Sequence, residues 1–366
     1  MLLRLLRATK EGPFESTVAV LADKGPVVRE MEDLGVAVYS LGIPRGRISP
    51  IGAVRFLALV RRLRPALIQT WLYHADLVGV LLARPLGVRR VLWNLRSSYP
   101  DDAHLSGLTA LVRRLCARLS PLPHAVVANS WAGMQSHRAL GYRPRRWVVI
   151  PNGVDTERFR PDPGARGRLM EALGVKEGEV VLVGYVARFI PVKDHATFLE
   201  AASRVLRVRE DIHFVLAGRG ITWSNAFFAR TIAPEFRARF HLLGETRHIE
   251  DVTPGLDIAC SASLQEGFPN TVCEAMACGV PCVVTDVGDS CRIVGETGFV
   301  VPPASPEAMA SAILRMAHMP RQERAALGER ARRRAMERFE MSKVAKMYTR
   351  LYHEVLEGTA WRVGIG

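Results

Sequence analysis

Acidic residues are scarce in the first half of the 366-residue chain. Positions 1–175 carry 13 Asp+Glu against 26 Lys+Arg and positions 176–366 carry 23 against 24, so +13 of the net +14 lies in the first half. That imbalance points the first half toward an anionic partner: nucleic acid, membrane phospholipid or a phosphorylated substrate. Arginine supplies nearly all of it, which coding bias alone would also produce. Cysteine is sparse and unpaired. Cys116, Cys260, Cys273, Cys278, Cys282 and Cys291 fall in no metal-ligand spacing, which argues against a zinc knuckle and predicts reduced, mostly buried thiols in a cytosolic protein. No apolar run approaches the roughly 18–20 residues that span a bilayer. The start has no signal-peptide pattern either, so any membrane contact is expected to be peripheral. No G-x-G-x-x-G follows a first strand, against a dinucleotide-dependent oxidoreductase. The basic clusters lack interleaved aromatics, so no nucleic-acid partner is expected.

What is present is an ordinary globular composition, 48% hydrophobic and 23% charged, long enough for about two domains. Strand-like runs at 17–21, 36–40, 66–70, 90–94, 125–129 and 147–150 alternate with helix-period segments such as 52–64 and 107–119. The rhythm restarts at 180–186 and continues through 212–218, 240–243, 257–261 and 280–285. Such alternation predicts an α/β fold with parallel sheets. Pro151-Asn152-Gly153-Val154-Asp155 and Pro161-Asp162-Pro163-Gly164 punctuate the chain between the two halves. The expected organisation is a first domain over 1–155, a linker over 156–175, a second domain over 176–338 and a helix over 339–358 returning to the first domain. In that helix Val344, Met347, Tyr348, Leu351, Tyr352 and Val355 recur at three and four residues. Two doubly wound domains facing each other would form a cleft at the carboxyl ends of their sheets.

Two stretches carry residues suited to chemistry. The apolar run 181–186 ends in Ala187-Arg188, with Lys193 five residues later. Two cations at a strand's carboxyl end suit a diphosphate, although an Arg and a Lys beside a turn are often simply solvated. The second stretch, 261–281, reads as strand end, Glu266-Gly267-Phe268-Pro269-Asn270 loop, short helix and Gly-Val-Pro turn. Glu266 is expected on the loop and Glu274 in the first turns of the helix. Free backbone N–H groups there make a phosphate site, and an acceptor-only carboxylate can take both hydroxyls of a ribose.

These motifs together, with Glu274-Ala-Met-Ala-Cys-Gly-Val-Pro281 and the Pro-Asn-Gly-Val-Asp segment, resemble the family 4 retaining glycosyltransferases of GT-B architecture, two facing Rossmann-like domains, over essentially the whole chain. The resemblance implies that Arg188 and Lys193 bind the donor's diphosphate, that Glu266 lies beside the transferred sugar, and that Glu274 holds the ribose. Gly267, Phe268, Pro269, Asn270 and Thr271 would present the loop and helix start to sugar and phosphate. Arg247, with Glu245 and Thr246, would lie near the nucleobase. In the first domain His74 would stand near the reacting sugar, Asn94, Arg96 and Ser97 on the acceptor side, and Asn129-Ser130 as a small polar pair one strand later.

The resemblance further implies a UDP- or GDP-linked sugar as donor, no cofactor, and a glycan or lipid-linked acceptor of polysaccharide or lipopolysaccharide assembly. No DxD-like pair stands where a metal would be held, so metal independence is expected. The leaving phosphate would accept the acceptor's proton on one face, with the cleft closing about 151–155 to exclude water. Arg55, Arg61, Arg62 and Arg64 on one helix and Arg113, Arg114 and Arg118 on another suggest an anionic membrane surface as a further partner. The expected location is cytoplasmic, peripheral at the inner face of the plasma membrane. The relatives open with a strand and two adjacent glycines that this sequence lacks, so that strand is expected upstream of Met1. The alternatives are a GT-B sugar-nucleotide epimerase or, should part of the site be truly missing, a non-catalytic nucleotide-sugar-binding protein.

Overall fold

The computed structural model describes residues 1–22, 25–43, 49–98, 105–176, 178 and 180–358. The chain divides into two units, one running to Gly153 and resuming at Met341, the other spanning Val154–Glu340.

The first unit begins with helix Leu2–Ala8. Strands β1 (Thr17–Val20) and β2 (Ala37–Ser40) form a parallel pair. β3 (Ile68–Trp71), β4 (Val91–Leu95), β5 (Ala125–Ala128) and β6 (Trp147–Val149) form a separate parallel sheet in that order. β4 and β5 are buried along their whole length, which is why they read as continuous apolar runs without alternation. Helix Leu2–Ala8 joins the two sheets. Leu5 packs with Leu92, Val127 and Ile150, and its neighbour Leu6 packs with Val18, Val28 and Val38. Helix Met341–Glu357 belongs to this unit and lays Val344, Tyr348, Leu351 and Val355 on the β4–β5 face. Met347, expected on that apolar stripe, is turned outward.

The second unit holds six parallel strands: β7 (Val181–Val186), β8 (Ile212–Ala217), β9 (Phe240–Leu242), β10 (Ile258–Ser261), β11 (Cys282–Thr285) and β12 (Gly298–Val301). Their order, β12-β11-β10-β7-β8-β9, reverses direction between β7 and β10. In a doubly wound sheet that reversal opens a crevice at the carboxyl ends. Two expectations are corrected here. Residues 156–175 are not a bare linker: Ala165–Leu173 is a helix, closed by Gly174 at φ 65, that buries Leu169 and Met170 in this unit's core. β12 is a further strand, half-exposed and at the sheet's edge. Five cysteines are buried and Cys291 is exposed, all as free thiols.

Candidate active site

In the second unit the expected residues gather at the carboxyl ends of β7 and β10, the point where strand order reverses. Arg188, two residues beyond β7, is exposed. Lys193 ends a short turn whose backbone carbonyl receives the Tyr185 hydroxyl. Its ammonium pairs with Glu266 Oε1, and Ser263 Oγ donates to the same oxygen at 2.7 Å. Asp194, at φ 45, caps the following helix by accepting from Thr197 N at 3.1 Å, which fixes the turn that aims Lys193. Glu266 lies on the loop and Glu274 in the second turn of helix Asn270–Ala277, as expected. Glu274 is 9% exposed. Arg158, bonded to Glu250 at 2.9 Å, feels the Glu274 charge. Of the loop residues, Phe268 packs its ring edge-on against Phe339 in the core, which leaves its backbone for the expected contact. Arg247 is exposed beyond β9, where Glu245 pairs with Arg219.

Two close backbone approaches were missed by sequence reasoning. A Cβ on Gly288, whose φ is 59, would overlap the Glu266 carbonyl, and Asp289 N donates to Gly267 O at 3.0 Å. The turn after β11 therefore clamps the Glu266 loop. A Cβ on Gly218, at φ 147, would overlap the Ala187 carbonyl, and Phe189 N bonds Arg219 O at 2.9 Å. The end of β8 thereby holds the Arg188 segment. The signal was visible only as Val-Gly-Asp and Ala-Gly-Arg after apolar runs.

In the first unit the expected residues gather at the carboxyl ends of β3 and β4. Leu72, exposed and at φ 74, turns the chain from β3 into helix Tyr73–Ala83, placing His74 half-buried in the first turn. Tyr73 is buried, its hydroxyl 2.7 Å from Ser97 Oγ and 2.9 Å from His137 Nε2. Burial lowers His137 to about 4, so the ring is neutral near pH 7. Its Nδ1 lies 2.7 Å from Gly133 O and must donate, which leaves Nε2 to accept the tyrosine's proton. Ser97 is thereby held in place. Asn94 Nδ2 donates to the Tyr348 hydroxyl at 2.9 Å, and Arg96 donates to Asn94 and Asn152 while lying over the Trp71 ring. Asn129 is buried, and Ser130 caps its helix by accepting from Gly133 N at 2.9 Å. Arg113 is corrected. It is 1% exposed and bonds the Tyr73 hydroxyl, so it faces the interior and not a lipid surface.

The family model described as Glycosyltransferase Family 4 matches residues 1–158, and that described as Glycosyl transferases group 1 matches residues 180–319. The lipopolysaccharide core biosynthesis mannosyltransferase LpsB of Rhizobium meliloti is 28% identical over 76% of this chain and 77% of its own. The UDP-Gal:alpha-D-GlcNAc-diphosphoundecaprenol alpha-1,3-galactosyltransferase of Escherichia coli is 29% identical over 47% of this chain, and the match spans 46% of that relative's length. Among solved structures, Anabaena HepE in complex with UDP superposes with a TM-score of 0.81 at 20% identity, covering 96% of this chain and 95% of that one. That last likeness concerns the fold alone.

Proposed function

The chain belongs to the family 4 glycosyltransferases of GT-B architecture, and from that membership we propose that it transfers a sugar, with retention, from a UDP- or GDP-linked donor to a glycan or lipid-linked acceptor. The observation that carries the donor half is the gathering of Arg188, Lys193, Glu266 and the start of helix Asn270–Ala277 at the sheet's reversal point. Departure of a nucleoside diphosphate needs charge stabilisation on the leaving group, which fixed cations and backbone N–H groups provide without reorganising. Lys193, now paired with Glu266, would exchange that partner for a phosphate oxygen, freeing Glu266 beside the sugar. Glu274 would hold the ribose, Arg247 would lie near the base, and His74, Asn94, Arg96 and Ser97 would serve the acceptor side.

Relatives named for a UDP-galactose donor and a diphosphoundecaprenol acceptor, for lipopolysaccharide core synthesis, and for GDP-mannose and a phosphatidylinositol mannoside support a cell-surface glycan pathway. A cytoplasmic protein working at the inner membrane face fits that chemistry. The test is incubation with labelled UDP- and GDP-sugars. Transfer or slow donor hydrolysis supports the reading, and binding of every donor without turnover overturns it. Glu274→Ala should raise donor KM at least about tenfold, the loss of hydrogen bonds to a charged group; an unchanged KM removes the ribose assignment.

A further inference from the structure

Arg96 is a guanidinium drawn out of water without a counter-charge among the described residues. It follows β4 and is only partly exposed. Its NH1 reaches Asn94 Oδ1 at 3.4 Å and its NH2 reaches Asn152 Oδ1. Its carbon lies 5.1 Å from the Trp71 ring centroid, and the Tyr348 hydroxyl is a further partner. Every one of these groups is neutral, and among the described residues no carboxylate pairs with it. Burial accordingly pulls its pKa down.

Withdrawing a charge from water is unfavourable unless an opposite charge compensates. Two amide oxygens and an aromatic face supply only part of that. What they do supply is orientation. Trp71 fixes the plane of the guanidinium, Asn94 and Asn152 fix its rotation, and Asn94 is itself held by Tyr348 at 2.9 Å. A guanidinium has five N–H donors, so some remain for a ligand. A planar fork locked in this way recognises a tetrahedral or planar oxyanion, not a neutral hydroxyl.

We propose that Arg96 is the anion-recognition residue of the first unit and binds a phosphate group carried by the acceptor. This rests on the reading that the first unit takes the acceptor, and it narrows the acceptor to a phosphorylated one. Trp71 and Asn152 then become positioning residues.

The test uses the full chain with Arg188→Ala and Lys193→Ala, so that the donor cations do not bind the probe, and inorganic phosphate as the probe, followed by calorimetry. Adding Arg96→Gln should weaken phosphate binding about tenfold, and Arg96→Lys should restore only part of it, because a point charge lacks the fork. Should Arg96→Gln fail to fold, the unsubstituted chain gives the answer: phosphate should protect Arg96 from phenylglyoxal, read by peptide mass spectrometry. Phosphate affinity unchanged by Arg96→Gln, or no protection of Arg96, overturns the proposal. UDP and GDP binding measured on the Arg96→Gln chain separates the two readings. Retained nucleotide binding with unchanged phosphate affinity overturns this inference and leaves the donor assignment standing, whereas an unsubstituted chain that binds neither nucleotide overturns the donor assignment alone.

Discussion

Leu72 holds φ 74 and ψ 157, a region open essentially only to glycine, at a cost of about 1–3 kcal/mol. At 55% exposure it gains little burial in return. The strained turn lies between Trp71, which carries Arg96, and His74. Leu72→Gly should therefore raise stability by about 1 kcal/mol after glycine's own entropy penalty, measured by urea denaturation. No gain would mean that a contact at Leu72 offsets the strain. Asp76 is a second residue held against its chemistry. It is fully buried and accepts from Thr70 with one oxygen, and its other oxygen has no partner among the described residues. Burial pushes its carboxyl well above the ordinary 3.8. Below that value the acid is neutral in both folded and unfolded chains and contributes no penalty. As pH rises, the unfolded chain ionises first and stability falls until the folded carboxyl also ionises. Asp76→Asn should thus melt higher than the unsubstituted protein at about pH 8, with the gap closing toward about pH 4. A pH-independent gap in Tm would refute this.

At the level of elements, the Glu266 loop depends on two neighbours, its own helix and the turn after β11. Only the first was legible in the sequence. Loop, helix start and Glu274 are consecutive, so local pattern placed them, and the apolar runs of β7, β8 and β10 stood out because those strands are buried on both faces. Gly288 could not be found this way. Its pressure on Glu266 exists because β10 and β11 are adjacent in the sheet, a fact of topology. Arg113 and Met347 misled for a related reason, since helical spacing names a face but not the single residue that turns inward to Tyr73 or outward to solvent. Gly288→Ala combines an overlapping Cβ with a positive φ, so it should destabilise by about 1–3 kcal/mol and displace Glu266. Nucleotide-sugar turnover should fall at least about tenfold, as misplacement of a reacting group predicts. Turnover within about twofold of the unsubstituted enzyme would show that the clamp is not needed.

Across the whole molecule, the charge excess can now be placed. Between residues 50 and 154 the chain has fifteen arginines, no lysine, and three acids, Asp76, Asp101 and Asp102. Asp76 is buried, and the other two lie outside the described residues. Arg113 leaves the surface, and Arg96 is held against Trp71, Asn94 and Asn152. Among the exposed arginines, Arg55, Arg61 and Arg62 stand on helix Pro50–Leu63 with exposed Ile51, Val54 and Leu63, followed by Arg64. Arginines beside exposed apolar side chains match an anionic bilayer surface, where each basic residue contributes about 1 kcal/mol. The chain should float with vesicles containing phosphatidylglycerol but not with neutral phosphatidylcholine. The association should weaken at about 1 M salt, where screening shortens to about 3 Å. Arg61→Glu, Arg62→Glu and Arg64→Glu together should abolish flotation and leave UDP or GDP binding intact, since Arg188 and Lys193, proposed to hold the donor, lie in the second unit. Flotation that survives the triple substitution would move the membrane contact off this helix, and its absence at low salt would leave the arginine excess to composition alone.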